Sequence, residues 1–340
     1  MPQGRATIYD IARMLGISTG TVNRALHDKP DVSPETRSRV LDAARALGFV
    51  LNQTARNLAR RPVKLALVVH NLVPEFGEEI LRGGSDAGRE LACRNVSAEI
   101  FDLPGTMEPE AFLAHLRALP GQGFDGAVVA APSQAQGLPR LVEQLAAQGF
   151  QTGLLTDSFP GCCAFTLRKD ALLAGRMAAE LLCRLTAHGR VAVFTGWHNV
   201  LDHEEAVTGF VQELARRSGK LLAVYEHRDS AALAVENASR LVHEHPEVEG
   251  VYINNAMSEQ TCRALASIAP HDVKIVTSDR FAGLEKLMRE DLVQATIFQD
   301  PYRQDYEAML RLYAVLAQDA PKGENILFAP CVLLQCEMDS

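Results

Sequence analysis

The spacing of apolar residues in the first fifty positions predicts three short helices. Each has an apolar stripe at helical intervals and a polar residue placed to cap its first turn. The stripes are Ile8, Ile11, Ala12 and Leu15, then Val22, Ala25 and Leu26, then Val40, Leu41, Ala44 and Leu47. The caps are Thr7 with Asp10 at capping-box spacing, Ser18, and Ser33 followed by Pro34. Because only Gly16 and Ile17 separate the first helix from its successor's cap, the first two helices form a helix-turn-helix unit.

The polar face of the second helix indicates contact with DNA. Its members are Thr19, Gly20, Asn23, Arg24 and His27. Short polar groups with one guanidinium suit a helix that enters a major groove and hydrogen-bonds to base edges. A purely structural helix more often carries Glu and Lys on that face.

The charge of the chain is divided unevenly along its length. Residues 1–64 hold eleven Lys and Arg against five Asp and Glu, a net charge of +6, whereas the whole chain has a net charge of −8. The basic excess therefore lies in the segment that contains the three helices. We expect phosphate contacts to concentrate there, because the rest of the chain is acidic and repels polyanions.

A fourth, conditional helix is predicted between Asn52, which can cap it, and Pro62, which ends it. Its apolar residues, among them Ala55 and Leu58, offer too little surface to hold such a short helix alone. Basic residues flank Leu58, so the segment resembles a wedge that becomes ordered on DNA and inserts Leu58 into the minor groove. An ordinary flexible linker is the alternative interpretation.

The remainder of the chain alternates apolar β-rich runs with helical patterns. Strands are predicted at 65–69, near 100, at 127–130, near 154, at 191–194, and near 223, 252, 275 and 297. Strands with helices between them imply parallel sheets, and apolar character on both faces of a strand implies coverage by helices on both sides. The sequence therefore predicts two doubly wound α/β lobes.

Polar residues follow many of these strands. The strand ends lead into His70 and Asn71, Asp102, Pro132, Asp157, Trp197 and His198, His227, Asn254 and Asn255, Ser278 and Asp279, and Gln299 and Asp300. In open parallel sheets, ligands bind at the carboxyl ends of the strands. Amides and carboxylates beside a few aromatic rings suit a neutral polyhydroxylated ligand. A helix N-cap is the alternative role for any one of these residues, most of all for Asp279.

Motifs of catalysis and metal binding are not found in the sequence. There is no phosphate-binding loop, nucleophile elbow or HExxH motif, and the seven cysteines lack the spacing of a metal site or a disulfide framework. We expect no enzyme activity, no cofactor, no metal and reduced thiols. The N-terminus has no apolar secretion segment and the hydrophobic runs are of strand length, so we expect a cytoplasmic protein without a membrane span.

Residues 7–61 resemble the DNA-binding headpiece of the LacI (lactose repressor) family of bacterial transcription regulators, from TIYDIARMLGISTGTVNRALH through LNQTARNLARR without a gap. The resemblance implies that Thr19, Gly20 and Arg24 read bases, that His27 is a peripheral contact, and that Leu58 enters the minor groove. The predicted DNA contacts are Thr7, Ser18, Thr19, Gly20, Thr21, Asn23, Arg24, His27, Ser33, Thr36, Asn52, Ala55 and Leu58. The family usually has Ser at the position of Asn23, a difference that affects operator sequence and not the docking mode.

Residues 63–340 are similar to the sugar-binding periplasmic binding protein fold that the same family uses. INNAMSEQTCRAL and SDRFAGLEKLMREDLVQATIFQDP carry this resemblance, and FTLRKDALLAG resembles the segment that crosses into the second lobe. The implied effector contacts, together with those predicted from the strand ends, are Phe76, Asp102, Arg168, Trp197, His203, Asn254, Asp279 and Gln299. Many relatives carry a sugar-binding Arg at the position of Ala206, which leaves His203 as a substitute contact.

These patterns predict a ligand-responsive transcription regulator that binds a near-palindromic, double-stranded operator as a homodimer or higher oligomer. The expected parts are a headpiece at 1–51, a hinge at 52–62 and an effector and dimerisation domain at 63–340. Its first lobe is expected to span about 63–165 and 295–322, and its second about 166–294 and 323–340. The effector is expected to be sugar-like, with a nucleoside or polyol as the alternative. A periplasmic sugar receptor would lack the headpiece, and a sugar-metabolising enzyme would need a catalytic pair.

Overall fold

A computed structural model of the chain describes residues 6–26, 31–47, 49, 61–71, 74–132, 135–155, 163–198, 200–228, 230–254, 258–269 and 272–337, without the side chains of 74–76. The chain divides into two compact units, Met1–Arg61 and Pro62–Ser340. The predicted hinge helix, with Asn52, Ala55 and Leu58, lies outside the described residues, as does His27.

The first unit contains the three predicted helices, α1 (Ile8–Leu15), α2 (Thr19–Leu26) and α3 (Pro34–Ala46). Its core is small and wholly apolar, with Ile11, Val22 and Val40 fully buried. The prediction for α3 was wrong in part. Leu41 and Leu47 are 38% and 37% exposed, and α3 buries Ala43 and Ala44 beside Val40, because these are the positions that face the other two helices.

The second unit alternates strands and helices along its whole length. Its helices are α4 (Pro74–Ala92), α5 (Pro109–Ala118), α6 (Leu138–Ala147), α7 (Ala171–Leu185), α8 (Leu201–Arg216), α9 (Ala231–Glu244), α10 (Ser258–Ile268), α11 (Leu284–Arg289) and α12 (Pro301–Leu316). Its strands are β1 (Val63–Asn71), β2 (Val96–Pro104), β3 (Gly126–Ala130), β4 (Gln151–Leu155), β5 (Phe165–Lys169), β6 (Arg190–Thr195), β7 (Lys220–Glu226), β8 (Gly250–Asn254), β9 (Lys274–Ser278), β10 (Ala295–Phe298), β11 (Glu324–Phe328) and β12 (Cys331–Leu333).

The strands form two six-stranded sheets, which confirms the predicted two-lobe α/β architecture. The first has the order β11-β5-β4-β3-β1-β2 and the second the order β12-β10-β9-β8-β6-β7. Every pairing is parallel except that of β10 with β12. Each sheet has an apolar cluster on both faces, so helices cover it from two sides. This arrangement aligns the carboxyl ends of the strands within each sheet.

The chain passes between the sheets at places that differ from the predicted lobe bounds. It leaves the first sheet after β5, returns to it after β10, and crosses again between β11 and β12. The crossings therefore follow residues 169, 298 and 328, a few residues beyond the predicted bounds at 165, 294 and 322. Each strand completes its ladder before the chain crosses, because its backbone groups need partners in the sheet.

A close contact between two helices of the second lobe packs the middle of α8 against the start of α7. A Cβ at Gly175 would lie 1.8 Å from the carbonyl oxygen of Ala206, and one at Gly209 would lie 2.0 Å from that of Leu172. Only glycine permits so close an approach. None of the helices in the described ranges is both long enough and apolar enough to cross a lipid bilayer.

Candidate functional site

Helix α2 separates its residues sharply into a buried and an exposed face. Val22 and Ala25 are 0% and 2% exposed, whereas Gly20, Asn23 and Arg24 lie on the surface. Thr19 and Thr21 are partly buried at the start of the same helix. The predicted base-reading residues that are described therefore share the accessible side of one short helix.

Side-chain hydrogen bonds hold the N-terminus of each of the three helices in this unit. The Ser18 hydroxyl accepts a hydrogen bond from the backbone N–H of Thr21 at 3.0 Å, and Ser33 does the same for Thr36 at 3.2 Å. The Asp10 carboxylate accepts from both the backbone N–H and the hydroxyl of Thr7, at 2.9 and 2.6 Å. Three predicted DNA contacts, Thr7, Ser18 and Ser33, are thus also N-cap residues, and a fourth, Thr36, is the residue that Ser33 caps. Their capping bonds fix backbone N–H groups at helix N-termini, where phosphates bind.

Arg24 is joined to a residue outside its own helix. Its Nε lies 3.3 Å from Oδ2 of Asp31, and the two side chains are 49% and 58% exposed. Asp31 follows α2 and precedes the Ser33 cap of α3. Asp31 was not among the predicted site residues, because an isolated acidic residue in a loop carries no periodic signal.

In the second unit, Asp279 and Gln299 meet at the ends of the neighbouring strands β9 and β10. Gln299 donates from its side-chain Nε2 to Asp279 Oδ2 at 2.7 Å and from its backbone N–H to Oδ1 at 3.2 Å. Asp279 adopts a left-handed backbone (φ 61°), which turns the chain at the strand end. The helix that follows begins only at Leu284, with Gly283 as its N-cap, so Asp279 does not cap it.

The surroundings of Asp279 raise the pKa of its carboxyl above the ordinary value. Burial raises the pKa of the carboxyl, and the charge of Lys169 and the hydrogen bonds from Gln299 oppose that rise. Asp202 raises the pKa further by like-charge repulsion. Lys169 ends β5 in the first sheet and Asp202 lies on α8, so this carboxyl senses charges from two other elements.

Asn254 ends β8, in the same sheet as Asp279 and Gln299. The side chain is 4% exposed, and its amide Nδ2 lies 3.4 Å from the His203 carbonyl and 3.5 Å from the Thr195 hydroxyl. The His203 ring nitrogen Nδ1 in turn accepts from the backbone N–H of Trp197 at 3.0 Å. Trp197 is 39% exposed, and the Arg228 guanidinium lies 5.9 Å from its ring centroid. The structure thus links three predicted contacts, Asn254, His203 and Trp197, through hydrogen bonds.

Arg168 forms a bidentate ion pair that crosses from the first sheet to the second lobe. Its terminal nitrogens lie 2.5 and 3.0 Å from the two carboxylate oxygens of Glu205, and Nη1 lies 3.4 Å from Asp202. Lys169 lies 3.8 Å from the other oxygen of Asp202. We name these four residues, Arg168, Lys169, Asp202 and Glu205, the crossover cluster. Asp202 and Glu205 were not predicted, because acidic residues near the start of a helix are common and carry no separate signal.

One predicted effector residue, Asp102, is hydrogen-bonded within the first sheet and, in the part of the chain that the structure describes, not to the residues above. Asp102 lies on β2 and accepts a 3.1 Å hydrogen bond from the Asn71 side chain at the end of β1, within the first sheet. Within the described residues, no hydrogen bond or ion pair joins this pair to Asp279 or Asn254. The side chain of Phe76 lies outside what the structure describes.

Metal binding receives no support from the geometry of the described ranges, where no group of three or more His, Cys, Asp or Glu side chains is arranged to hold an ion. Ala206 is 2% exposed beneath α7, and its small side chain offers no group to a ligand. The polar groups near the strand ends are therefore amides, carboxyls, an imidazole and the crossover cluster.

Comparisons with known proteins match both units. Residues 7–52 match the lacI family of bacterial regulatory proteins, and residues 65–320 match the periplasmic binding protein domain. The chain is 24% identical over 337 residues to the ribose operon repressor of Bacillus subtilis, a match that covers 96% of each chain. It is 31% identical over 140 residues to the HTH-type transcriptional regulator RegA of Clostridium saccharobutylicum, a match that covers 41% of each chain.

A solved structure shares the fold. The lac repressor dimer, crystallised with operator and the anti-inducer ONPF, has a TM-score of 0.65 at 20% identity and covers 97% of this chain and 98% of that chain. The agreement extends over the three-helix unit and the two parallel-sheet lobes.

Proposed function

The chain belongs to the LacI family of bacterial regulatory proteins, and we propose that it is a repressor that binds a near-palindromic operator as a homodimer under the control of a sugar-like effector. It is a DNA-binding transcription regulator with a ligand-responsive domain of the periplasmic binding protein type. The proposal adds the oligomeric state, the chemistry of the effector, the residues that bind each partner and a location in the cytoplasm.

The exposed face of α2 is the observation that supports DNA binding by the headpiece. Gly20, Asn23 and Arg24 are accessible, while Val22 and Ala25 anchor the helix in the core. A major groove admits one helix, and an Arg fork reads guanine through its O6 and N7 acceptors. A single small headpiece makes few base contacts, so specific binding calls for two headpieces on two half-sites.

The effector part depends on the groups at the strand ends of the second sheet. Asn254, Asp279 and Gln299 supply both donors and acceptors, which matches the hydroxyls of a sugar. Arg168 is engaged by Glu205, so the cluster offers no dedicated partner for a phosphate group. Trp197 adds a partly exposed ring that suits the apolar face of a pyranose or furanose. A neutral sugar fits these groups best.

Effector binding is proposed to act through closure of the lobes. A ligand that binds one lobe arrangement better shifts the population toward it, and the hinge at 52–62 passes the change to the headpiece. Leu58 is the proposed minor-groove wedge within that hinge.

The proposal is tested by selecting DNA from a randomised library with the full-length protein and measuring affinities at fixed salt. Arg24→Ala is expected to weaken binding to the selected operator by about 1–3 kcal/mol and binding to random DNA far less. Equal losses on both would assign Arg24 to phosphate contact. A thermal-shift screen with neutral sugars, polyols and nucleosides then identifies the effector class, because a ligand specific for the folded state raises the melting temperature.

A further inference from the structure

The ion pair between Arg24 and Asp31 in the headpiece unit joins the exposed face of α2 to the segment that precedes α3. Asp31 approaches the Nε atom of Arg24, at 3.3 Å from its Oδ2. A guanidinium carries donors on Nε and on two terminal amino groups, arranged in a rigid plane. When Nε faces the carboxylate, the two terminal amino groups are left for another planar acceptor pair. Guanine presents such a pair in the major groove, its O6 and N7.

The position of Asp31 is set by its neighbours in the chain. Val32 is only 8% exposed and packs in the headpiece core, and the Ser33 hydroxyl caps α3 at Thr36. The backbone that carries Asp31 is therefore anchored on its C-terminal side by both packing and a hydrogen bond. The carboxylate projects from a fixed point toward Arg24.

A second ion pair in the same unit joins two residues of one helix. Arg45 and Asp42 lie three residues apart on α3, at 3.5 Å, with side chains 78% and 65% exposed. That pair follows from helical spacing alone and contributes little to stability. The pair of Arg24 and Asp31 joins the exposed face of α2 to a different segment, and its side chains are less exposed.

From these observations we propose that Asp31 is a positioning residue for base recognition. It holds the guanidinium of Arg24 in one orientation before DNA arrives, so that less side-chain freedom is lost when the terminal amino groups bind a guanine. Its negative charge also opposes phosphates, which weakens binding that depends on charge alone. Asp31 thus raises the ratio of specific to non-specific binding. This inference rests on the proposed role of Arg24 as a base reader.

The test uses the full-length protein, its selected operator, every single base-pair variant of one half-site, and random DNA, all at the same salt concentration. Arg24→Ala identifies the base pair that Arg24 reads, because this variant no longer discriminates there. At that base pair, Asp31→Ala is expected to reduce discrimination about tenfold, and it is expected to bind random DNA more tightly. Asp31→Glu is expected to recover part of the discrimination, because the charge is restored on a longer arm. Asp42→Ala is the matched control: it removes the same charge from the same unit and leaves discrimination unchanged.

Thermal melting of each variant checks that the fold is kept. If Asp31→Ala and Asp42→Ala both bind DNA more tightly and keep their discrimination between base pairs, while Arg24→Ala loses that discrimination, then Asp31 is only a repulsive charge and the inference is wrong. If Arg24→Ala weakens all sequences equally, base reading by Arg24 itself fails, which is a different result from the first. The Arg24→Ala, Asp31→Ala double variant should discriminate between base pairs no worse than Arg24→Ala alone, because a positioning residue has no effect once the residue it positions is gone. A further loss of discrimination in the double variant, equal to that of Asp31→Ala alone, would contradict the inference.

Discussion

The side-chain amide of Gln299 donates a 2.7 Å hydrogen bond to the carboxyl of Asp279, joining the ends of two adjacent parallel strands. Both residues were predicted to contact the effector, and the structure brings them together. The same bond orients Asp279 and leaves the side-chain oxygen Oε1 of Gln299 as an acceptor. A sugar hydroxyl that reaches this pair can therefore find both a donor and an acceptor.

Asp279→Ala is expected to abolish effector binding, because it removes the hydrogen-bond partner of Gln299 and leaves hydroxyls of the ligand unpaired. Calorimetric titration of the effector measures the loss. Asp300→Ala is the control. Asp300 also has a left-handed backbone, but its carboxylate caps α12 through the N–H of Arg303. It is expected to cost about 1 kcal/mol of stability and leave effector affinity intact. Effector affinity within about threefold of wild type in Asp279→Ala would show that the site lies elsewhere.

Trp197 is the single tryptophan of the sequence and so reports on the predicted site alone. Because its ring is 39% exposed, a sugar that stacks on it is expected to shift the emission to shorter wavelength and reduce quenching by acrylamide. The titration should reach half saturation at the effector concentration found by calorimetry. Unchanged emission at saturating effector would place Trp197 outside the binding site.

The strand-end residues could be predicted because parallel strands align their carboxyl ends whatever the rest of the fold does. The contacts within the crossover cluster could not be predicted from the sequence. Arg168 and Glu205 are 37 residues apart, and their contact requires that β5 end in the first sheet while α8 begins in the second lobe. Strand β11 was also missed, since as an edge strand it buries few of its residues and its pattern is weak.

The side chains of Arg168 and Glu205 are 13% and 26% exposed, so their ion pair is expected to stabilise the fold more than a surface pair does. Arg168→Met and Glu205→Gln should each lower the free energy of unfolding by about 1–3 kcal/mol and couple by more than about 1 kcal/mol in a double-mutant cycle. Arg240 and Glu244, 2.8 Å apart and 60% and 41% exposed, are the control. Their coupling should stay below about 0.5 kcal/mol. Equal coupling in the two cycles would contradict a structural role for the crossover cluster.

Asp305 on α12 is 2% exposed, and within the described part of the chain its Oδ1 has no hydrogen-bond partner. Burial raises its pKa well above that of an ordinary carboxyl. The folded state therefore binds this proton more tightly than the unfolded state. The stability that this protonation contributes is fully present below the pKa of Asp305 in the unfolded chain. It is lost as the pH rises through the pKa of Asp305 in the folded protein. Asp305→Asn is expected to raise the free energy of unfolding at pH 8 more than at pH 5, by roughly 1–3 kcal/mol. An equal change at both pH values would show that the carboxyl titrates normally.

In the proposed function, effector binding in the lobes is coupled to DNA binding by the headpiece. The decisive measurement is the operator affinity of the full-length protein, obtained by fluorescence anisotropy with and without saturating effector. Typical coupling between two sites predicts a change of about 5- to 150-fold in the operator Kd of the wild-type protein. Asp279→Ala should bind the operator with the wild-type ligand-free Kd and show no response. Calorimetry first establishes that the protein is saturated with effector. An operator Kd that is then the same with and without effector would contradict the coupling between effector binding and DNA binding.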